Sequence, residues 1–479
     1  MQPSSEKQLE FFFESIDKAA STIKGFIGNN LPIRVFCHLD ADGIAAGGVI
    51  GRALGRKGAD FRIRVERQLS DPLIRSLASD GSSPCIFADF GSGYLDLLRE
   101  HLAGTEIIIL DHHEPLGEPF TGLVQANPHL FGFDGAREVS GSGMSYFVAR
   151  SLDPKNVDLA PIAVVGALGD LQDKNDEHCL RGLNALIVED GIKADVLKVE
   201  KDLLFFGRET RPVHKSLSLT TNPFIPGLSG HEDKCLGFLV NLGLQLKDGD
   251  RWRTLSELSK DEKQLLFSKL TEYMIRSGSP GSSALDLIGA IYSLLREDKS
   301  TFLRDGREFS SILNACSRTK KTGLALALCI GDRTSTLPEA EAALNEYRRT
   351  LADYLDKVTF EKGRIVETES CHILRGEGLI DERMLGSVSS ILVTSGILSP
   401  SKPLISLALT EEGMVKVSAR ADNSLLAKNL NLGNIMQKAA ESVGGLGGGH
   451  DVAAGALFPR GSEDAFLNVA RQLLKEVVV

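Results

Sequence analysis

From residue 31 onward, short apolar runs alternate with helical stretches, and this alternation constrains the fold more than any other feature of the chain. IRVFC (33–37), FRIRV (61–65), CIFA (85–88) and EIIIL (106–110) have strand length. Segments such as GIAAGGVIGRALGRKG between them read as helix. Strand and helix in alternation make βαβ units. Right-handed crossovers between successive parallel strands then place helices on both faces of a parallel sheet.

Three of these strands run directly into residues able to do chemistry: His38-Leu39-Asp40-Ala41-Asp42-Gly43, then Asp89, then Asp111-His112-His113. In open α/β sheets, sites form beyond the carboxyl ends of the strands. Alternate residues on or just past a strand point the same way, so His38, Asp40 and Asp42 can converge. Imidazole with carboxylate suits Mn²⁺, Mg²⁺ or Zn²⁺. The bland reading, an aspartate capping the next helix, needs only one acid. Gly43 lets the chain turn sharply. Asp89 alone would read as a turn residue. Two adjacent histidines point in different directions, so one can bind metal while the other faces substrate. A fourth acid, Asp170, closes the helix-like APIAVVGALGD. Together, five carboxylates brought close would repel without cations. Two divalent ions roughly 3.5–4 Å apart resolve that repulsion, and their natural chemistry is hydrolysis of a phosphate ester.

The chain has 479 residues, more than one core, so two or three domains are expected. An apolar share of 42% supports sizeable cores, whereas a net charge of -10 argues against coating nucleic acid through bulk positive charge. The seven cysteines are scattered without a CxxC, which disfavours a zinc site, and Cys37, Cys85 and Cys329, in apolar runs, read as reduced core residues of a cytoplasmic protein. The N-terminal MQPSSEKQLEFFFES carries acids and is too short in apolar residues for a signal peptide. No run reaches the ~18 apolar residues of a membrane span, so no membrane partner is expected.

The expected division is an N-terminal helix (1–30), an α/β catalytic domain (31–190), a mostly helical middle region (191–335), a connecting helix (336–363) and a C-terminal α/β domain (364–479). In the middle region, 260–276 and 284–296 read as helices. In the last domain, LISLALT and MVKVSAR read as strands, and GGLGGGHDVAAG as a Gly-rich loop entering a final strand. Gly447, Gly448 and Gly449 would let backbone N–H groups approach an anion, with His450 and Arg420 as further donors. The bland alternative is a Gly-rich turn before a buried strand. Arg208, Glu209, Arg211 and His214 could hold a strand backbone or make ion pairs. Arg137, Ser140 and Ser142 could contact phosphate or order a loop. Arg318, Lys320 and Lys321 read as solvated surface.

HLDADG, Asp89, LDHHEP and GALGD resemble the four successive motifs of the DHH phosphoesterase superfamily. GGGHDVAAG, with VSAR upstream, resembles its companion DHHA1 domain, and NPHLFGFDGAREVSGSGMSYFVA with FGRETRPVH resembles archaeal RecJ-like nucleases, in particular the kind that associates with the replicative GINS complex. This resemblance implies two metal ions, Mn²⁺ or else Mg²⁺. His38 and Asp40 would hold one, Asp42, His112 and Asp170 the other, and Asp89 would bridge. His113 would face the scissile phosphate and Asp111 would orient a histidine. Arg420, Gly448, Gly449 and His450 would bind the substrate strand. The implied activity is exonucleolytic hydrolysis of single-stranded DNA or RNA, from 5' to 3' on DNA, in replication or repair. Two further readings stay open: a phosphodiesterase for short oligonucleotides or cyclic dinucleotides, and a GINS-docking component of a helicase assembly.

Overall fold

The computed structural model describes residues 3–81, 83–220, 223, 225–277, 281–361, 363–395 and 397–478. The first stretch runs α1 (Pro3–Gly28), β1 (Ile33–His38), α2 (Ala41–Arg56), β2 (Phe61–Glu66), α3 (Asp71–Ser79), β3 (Cys85–Ala88), α4 (Leu95–His101), β4 (Ile107–Leu110), β5 (Leu123–Ala126), α5 (Gly141–Leu152), α6 (Ala160–Gly169) and α7 (Leu183–Lys193). Next come β6 (Leu197–Leu203), α8 (Val213–Leu219), α9 (Glu232–Asn241), β7 (Lys247–Asp248), β8 (Arg251–Trp252), α10 (Lys260–Arg276), β9 (Ile288–Leu294), α11 (Gly306–Arg318), α12 (Thr322–Ile330) and α13 (Thr336–Phe360). The chain closes with β10 (Ile365–Glu367), β11 (His372–Arg375), α14 (Leu385–Thr394), β12 (Leu404–Leu409), β13 (Met414–Arg420), α15 (Leu432–Glu441), β14 (Leu446–Gly449), β15 (Ala453–Pro459) and α16 (Glu463–Val478). Two compact units result, Met1–Leu219 with His231–Leu344, and Thr220–Gly230 with Asn345–Val479.

The first unit holds a five-stranded, wholly parallel sheet in the order β2-β1-β3-β4-β5. The order reverses beside β1, so β1 and β3 flank the point at which an open sheet leaves a crevice. β1, β3 and β4 are buried on both faces, the pattern of strands covered by helices on both sides. Glycines let α2 lie close. A methyl at Gly47 would meet Cys37 Sγ at 2.6 Å, and one at Gly48 would meet Cys329 Cβ at 2.4 Å. Helix α2 packs on α5, α6 and α12, and α11 packs on α6. On α1, Phe12 meets Phe13, Phe131, Phe133 and Phe147 edge to face.

Two expectations need correction. Residues 284–296 are not a helix: Ile288–Leu294 is a strand, paired antiparallel with Leu197–Leu203. Its run IGAIYSL is buried almost throughout, and a short apolar run does not distinguish helix from strand by period. The glycines before His450 are likewise a strand, β14, paired with β15.

The second unit is a six-stranded mixed sheet in the order β10-β11-β12-β13-β15-β14. Strand β12 shows why it has two cores. Ile405 and Leu407 join a cluster with Met436 and Phe466 from α15 and α16. Leu404 and Ala408 face a second cluster with Val358 and Val388 from α13 and α14. Alternation along one strand therefore serves both faces. Among the described residues, no helix is long and apolar enough to cross a membrane.

Candidate metal centre

Beyond the ends of β1, β3 and β4, six side chains crowd together. His38 Nδ1 lies 3.0 Å from Asp40 Oδ2 and 3.7 Å from Asp89 Oδ2. His112 Nε2 lies 3.2 Å from Asp89 Oδ1, 3.3 Å from Asp170 Oδ2 and 3.9 Å from Asp42 Oδ2. The two oxygens of Asp89 thus face two different groups. One group is His38 with Asp40. The other is Asp42, His112 and Asp170. In each group the ligand atoms lie within 4.8 Å of one another.

Electrostatics show the strain of this crowding. Burial, then the charges of Asp42, Asp40 and Asp170, push the Asp89 carboxyl well above the carboxylate range. Burial and Asp42 raise Asp170 to about 8, against the pull of His112. Burial also opposes ionisation of Asp40, but the adjacent His38 and the Gly43 N–H hold it well below the usual range. For His112, burial favours the neutral ring, yet Asp170 and Asp42 outweigh it and raise the value.

Several buried polar atoms here lack hydrogen-bond partners: His38 Nδ1, Asp89 Oδ1 and His112 Nε2. Buried polar groups are normally satisfied, so three orphans in one cluster mark a place for something else. Two imidazoles and four carboxylates are a donor set for a divalent cation of the Mn²⁺ type. These residues therefore fit the expected divalent metal, which would neutralise the carboxylates and use the orphaned lone pairs.

The local chain explains each placement. Asp40 caps α2, accepting from Gly43 N–H at 2.9 Å. A methyl at Gly43 would sit 2.4 Å from the His38 carbonyl oxygen, so only glycine permits the turn. Asp89 takes φ +67°, a left-handed conformation uncommon outside glycine. Asp42 is fully buried and accepts from the N–H groups of Gly141 and Ser142, at 2.6 and 3.1 Å, at the N-terminus of α5. His112 Nδ1 is 2.7 Å from the Gly135 carbonyl, which can only accept. The neutral ring therefore keeps its proton on Nδ1 and turns the Nε2 lone pair to the acids.

Asp111 is buried and saturated. It accepts from the N–H groups of Ser92, His112 and His113, and its Oδ1 is 2.8 Å from His113 Nδ1. Burial works against the charge on Asp111, but these partners hold it well below the usual range. Its Oδ2 is taken by Ser92 and its Oδ1 lies against His113, whose ring is half-exposed and 4.4 Å from that of His112.

Other candidates fall elsewhere. Arg208 is buried and pairs with Asp202 at 2.6 Å, which Lys263 also meets at 2.6 Å. His214 pairs with Glu232 and packs on Trp252. Ser140 caps α5, and Ser142 donates to the Ala163 carbonyl at 2.9 Å. Arg137 is largely exposed and lies 3.7 Å from Asp134.

Sequence reasoning missed the glycines that let backbone approach the acids. A methyl at Gly141 would sit 2.3 Å from Asp89 Oδ1, and one at Gly166 would sit 2.3 Å from Asp42 Oδ1. The signal was present in VSGSGMS and GALGD, which place glycine beside the acidic motifs.

In the second unit, Arg420, Gly448, Gly449 and His450 share one end of the sheet. Arg420 pairs in register with Ala453, and His450 N–H donates to the Ala453 carbonyl at 2.8 Å. His450 is exposed. Arg420 donates to Ser390 Oγ and to the carbonyls of Ala419 and Ala454. Gly447 and Gly449 are required by packing. Methyls there would meet Met436 O at 2.3 Å and Ala454 Cα at 2.6 Å, whereas Gly448 faces open space.

A parallel α/β unit with an acidic, histidine-bearing edge, followed by a second sheet unit, defines the class. The chain belongs to the DHH superfamily and is RecJ-like. The DHH-CID domain matches residues 205–288 and the DHHA1 domain residues 380–476. Uncharacterized protein MJ0831 of Methanocaldococcus jannaschii is 30% identical over 479 residues, spanning 97% of this chain and 98% of that protein. The single-stranded-DNA-specific exonuclease RecJ of Thermus thermophilus is 26% identical over 190 residues, spanning 37% of this chain and 27% of that protein. A crystal structure of that organism's RecJ with Mn²⁺ aligns over 96% of this chain and 55% of its own, at 18% identity and a TM-score of 0.56. CDC45 from Entamoeba histolytica shares the fold over 96% of this chain and 99% of its own, at 11% identity and a TM-score of 0.61.

Proposed function

We propose that the chain is a metal-dependent exonuclease that hydrolyses phosphodiester bonds of single-stranded nucleic acid, on DNA from the 5' end. The observation that carries the reading is Asp89, whose two oxygens face His38 with Asp40 on one side and His112 with Asp42 and Asp170 on the other. In this reading those six residues hold two ions, Mn²⁺ or else Mg²⁺. Such a pair supplies an activated water and charge stabilisation at the phosphate.

The chain's own groups do the rest. Asp111 holds His113 in a fixed tautomer, so that its outer nitrogen can hold or give a proton at the leaving oxygen. Arg420, Gly448, Gly449 and His450 are assigned to the substrate backbone, within a substrate-binding region at 364–479. Residues 31–190 are assigned to catalysis. RecJ of Thermus thermophilus is by name specific for single-stranded DNA, and its kinship in sequence supports this substrate class.

The test is hydrolysis of end-labelled single-stranded DNA and RNA, with a dinucleotide alongside, in Mn²⁺ and in EDTA. Mn²⁺-dependent stepwise shortening of the long DNA strand is expected, and the labelled end gives the polarity. Cleavage of the dinucleotide alone would overturn the exonuclease assignment.

A further inference from the structure

The segment Gly135–Ser142 touches both halves of one ligand group. Its first residue accepts from His112 Nδ1 at 2.7 Å, and its last two donate to Asp42 at 2.6 and 3.1 Å. Gly135 also presses on His112 directly, since a methyl there would sit 1.8 Å from the His112 carbonyl oxygen. Whatever fixes this segment therefore fixes His112 and Asp42 together.

One buried side chain does so. Gln172 Nε2 donates to the Gly135 carbonyl at 2.9 Å and to the Val139 carbonyl at 3.1 Å. Its Oε1 accepts from Asn184 Nδ2 at 2.6 Å, and Asn184 N–H donates to the Glu138 carbonyl at 2.7 Å. Gln172 and Asn184 are both almost fully buried. An amide fits this place uniquely: its NH₂ bridges two carbonyls while its oxygen accepts, and neither Glu nor Met offers both donors. Gln172 also follows Asp170 by two residues, and its N–H donates to the Ala167 carbonyl at the end of α6. Asp42 and His112 are thereby tied to the Gln172 side chain through one segment, and Asp170 to the same residue through the backbone.

We propose that Gln172, braced by Asn184, is a positioning residue that sets the Asp42, His112 and Asp170 group for its cation. The proposal rests on reading that group as metal ligands. The chemistry recognised is a divalent cation. Groups that orient metal ligands typically account for ~10–100-fold in metal affinity. Among the described residues, the His38 and Asp40 side makes no hydrogen bond to this network, so the effect is selective.

The test is calorimetric titration of the metal-free full chain with MnCl₂, beside thermal melts of the same samples. Gln172→Met is expected to weaken one of two Mn²⁺ sites by ~10–100-fold while the other changes less than about threefold. Asn184→Ala, which removes only the brace, is expected to weaken the same site less. Equal affinities in wild type and Gln172→Met would overturn the proposal and leave the ligand assignment standing. So would a melting temperature that falls while both sites of the folded protein keep their affinity, because that is a purely structural role. If Gln172→Met does not fold, Asn184→Ala decides by the same criterion. Wild type binding no Mn²⁺ would overturn the ligand assignment, and the proposal with it.

Discussion

The two candidate sites are built on opposite principles. At the edge of the parallel sheet, charged groups are buried, crowded and short of partners: His38 Nδ1, Asp89 Oδ1 and His112 Nε2 have none. At the edge of the mixed sheet, His450 is exposed, and the turn around it is closed by its own backbone hydrogen bonds. The first arrangement is unfavourable alone, since like charges at low dielectric repel and unpaired polar atoms cost free energy. The second is satisfied as it stands. A site incomplete in itself has places for an ion to complete, whereas a self-sufficient edge needs no ligand to hold its shape.

The contrast is broken most severely at Asp89. Asp89→Ala should abolish hydrolysis, a larger loss than the ~10–100-fold typical of groups that merely orient ligands, and should release at least one metal ion. Circular dichroism should show the fold retained. Unchanged turnover would sink the assignment of Asp89.

Gly166→Ala should come next. The added methyl falls 2.3 Å from Asp42 Oδ1 and 2.1 Å from Ser142 Oγ, in a fully buried place. Overpacking of this kind costs about 1–3 kcal/mol, so denaturant titration should show that loss together with weaker Mn²⁺ binding. Wild-type stability would mean that the carboxylate can move aside.

At the second edge the effect should be smaller and different in kind. His450→Ala should raise KM roughly 3–10-fold, the loss of about 1 kcal/mol of hydrogen bonding, and leave metal content unchanged. A normal KM would count against a substrate contact there.

A last effect concerns protons. Without metal, Asp170 holds its proton up to about pH 8 in the folded chain, against an ordinary value of 3.8. The folded state then binds more protons than the unfolded, so its stability falls as pH rises through that window. Melts in EDTA should show a decline from about pH 5 that levels off above about pH 8, which Asp170→Asn flattens and Mn²⁺ reverses, because ligands bind metal deprotonated. A wild-type slope equal to that of Asp170→Asn would remove Asp170 as the cause.

The parallel sheet was legible because its strands β1 to β4 are short apolar runs set off by helices. The candidate ligands were legible because three strands end in them without an intervening loop. Strand β5, LVQA, is short and only partly buried, and it left no comparable signature. The pair β6 and β9 escaped for a different reason. LKVEKDL reads as polar, IGAIYSL as apolar without period, and their pairing closes across some ninety residues. Strand β14 is three glycines and a leucine, the composition least inclined to strand, and only its pairing with β15 holds it there. The support of Asp42 by Gly141 and Ser142 spans a hundred positions, which no local pattern encodes.

The fit of Gly48 against Cys329 has a consequence for how this chain can be cut or varied. Helix α2 carries Asp42 in its first turn and lies against α12, which the sequence supplies almost three hundred residues later. A fragment ending after α7 would retain every candidate ligand yet leave that flank of α2 bare to water. The minimal autonomous folding piece is thus set by the last helix to pack rather than by the last ligand, and insertions are better tolerated between α7 and α11 than deletions that reach α12.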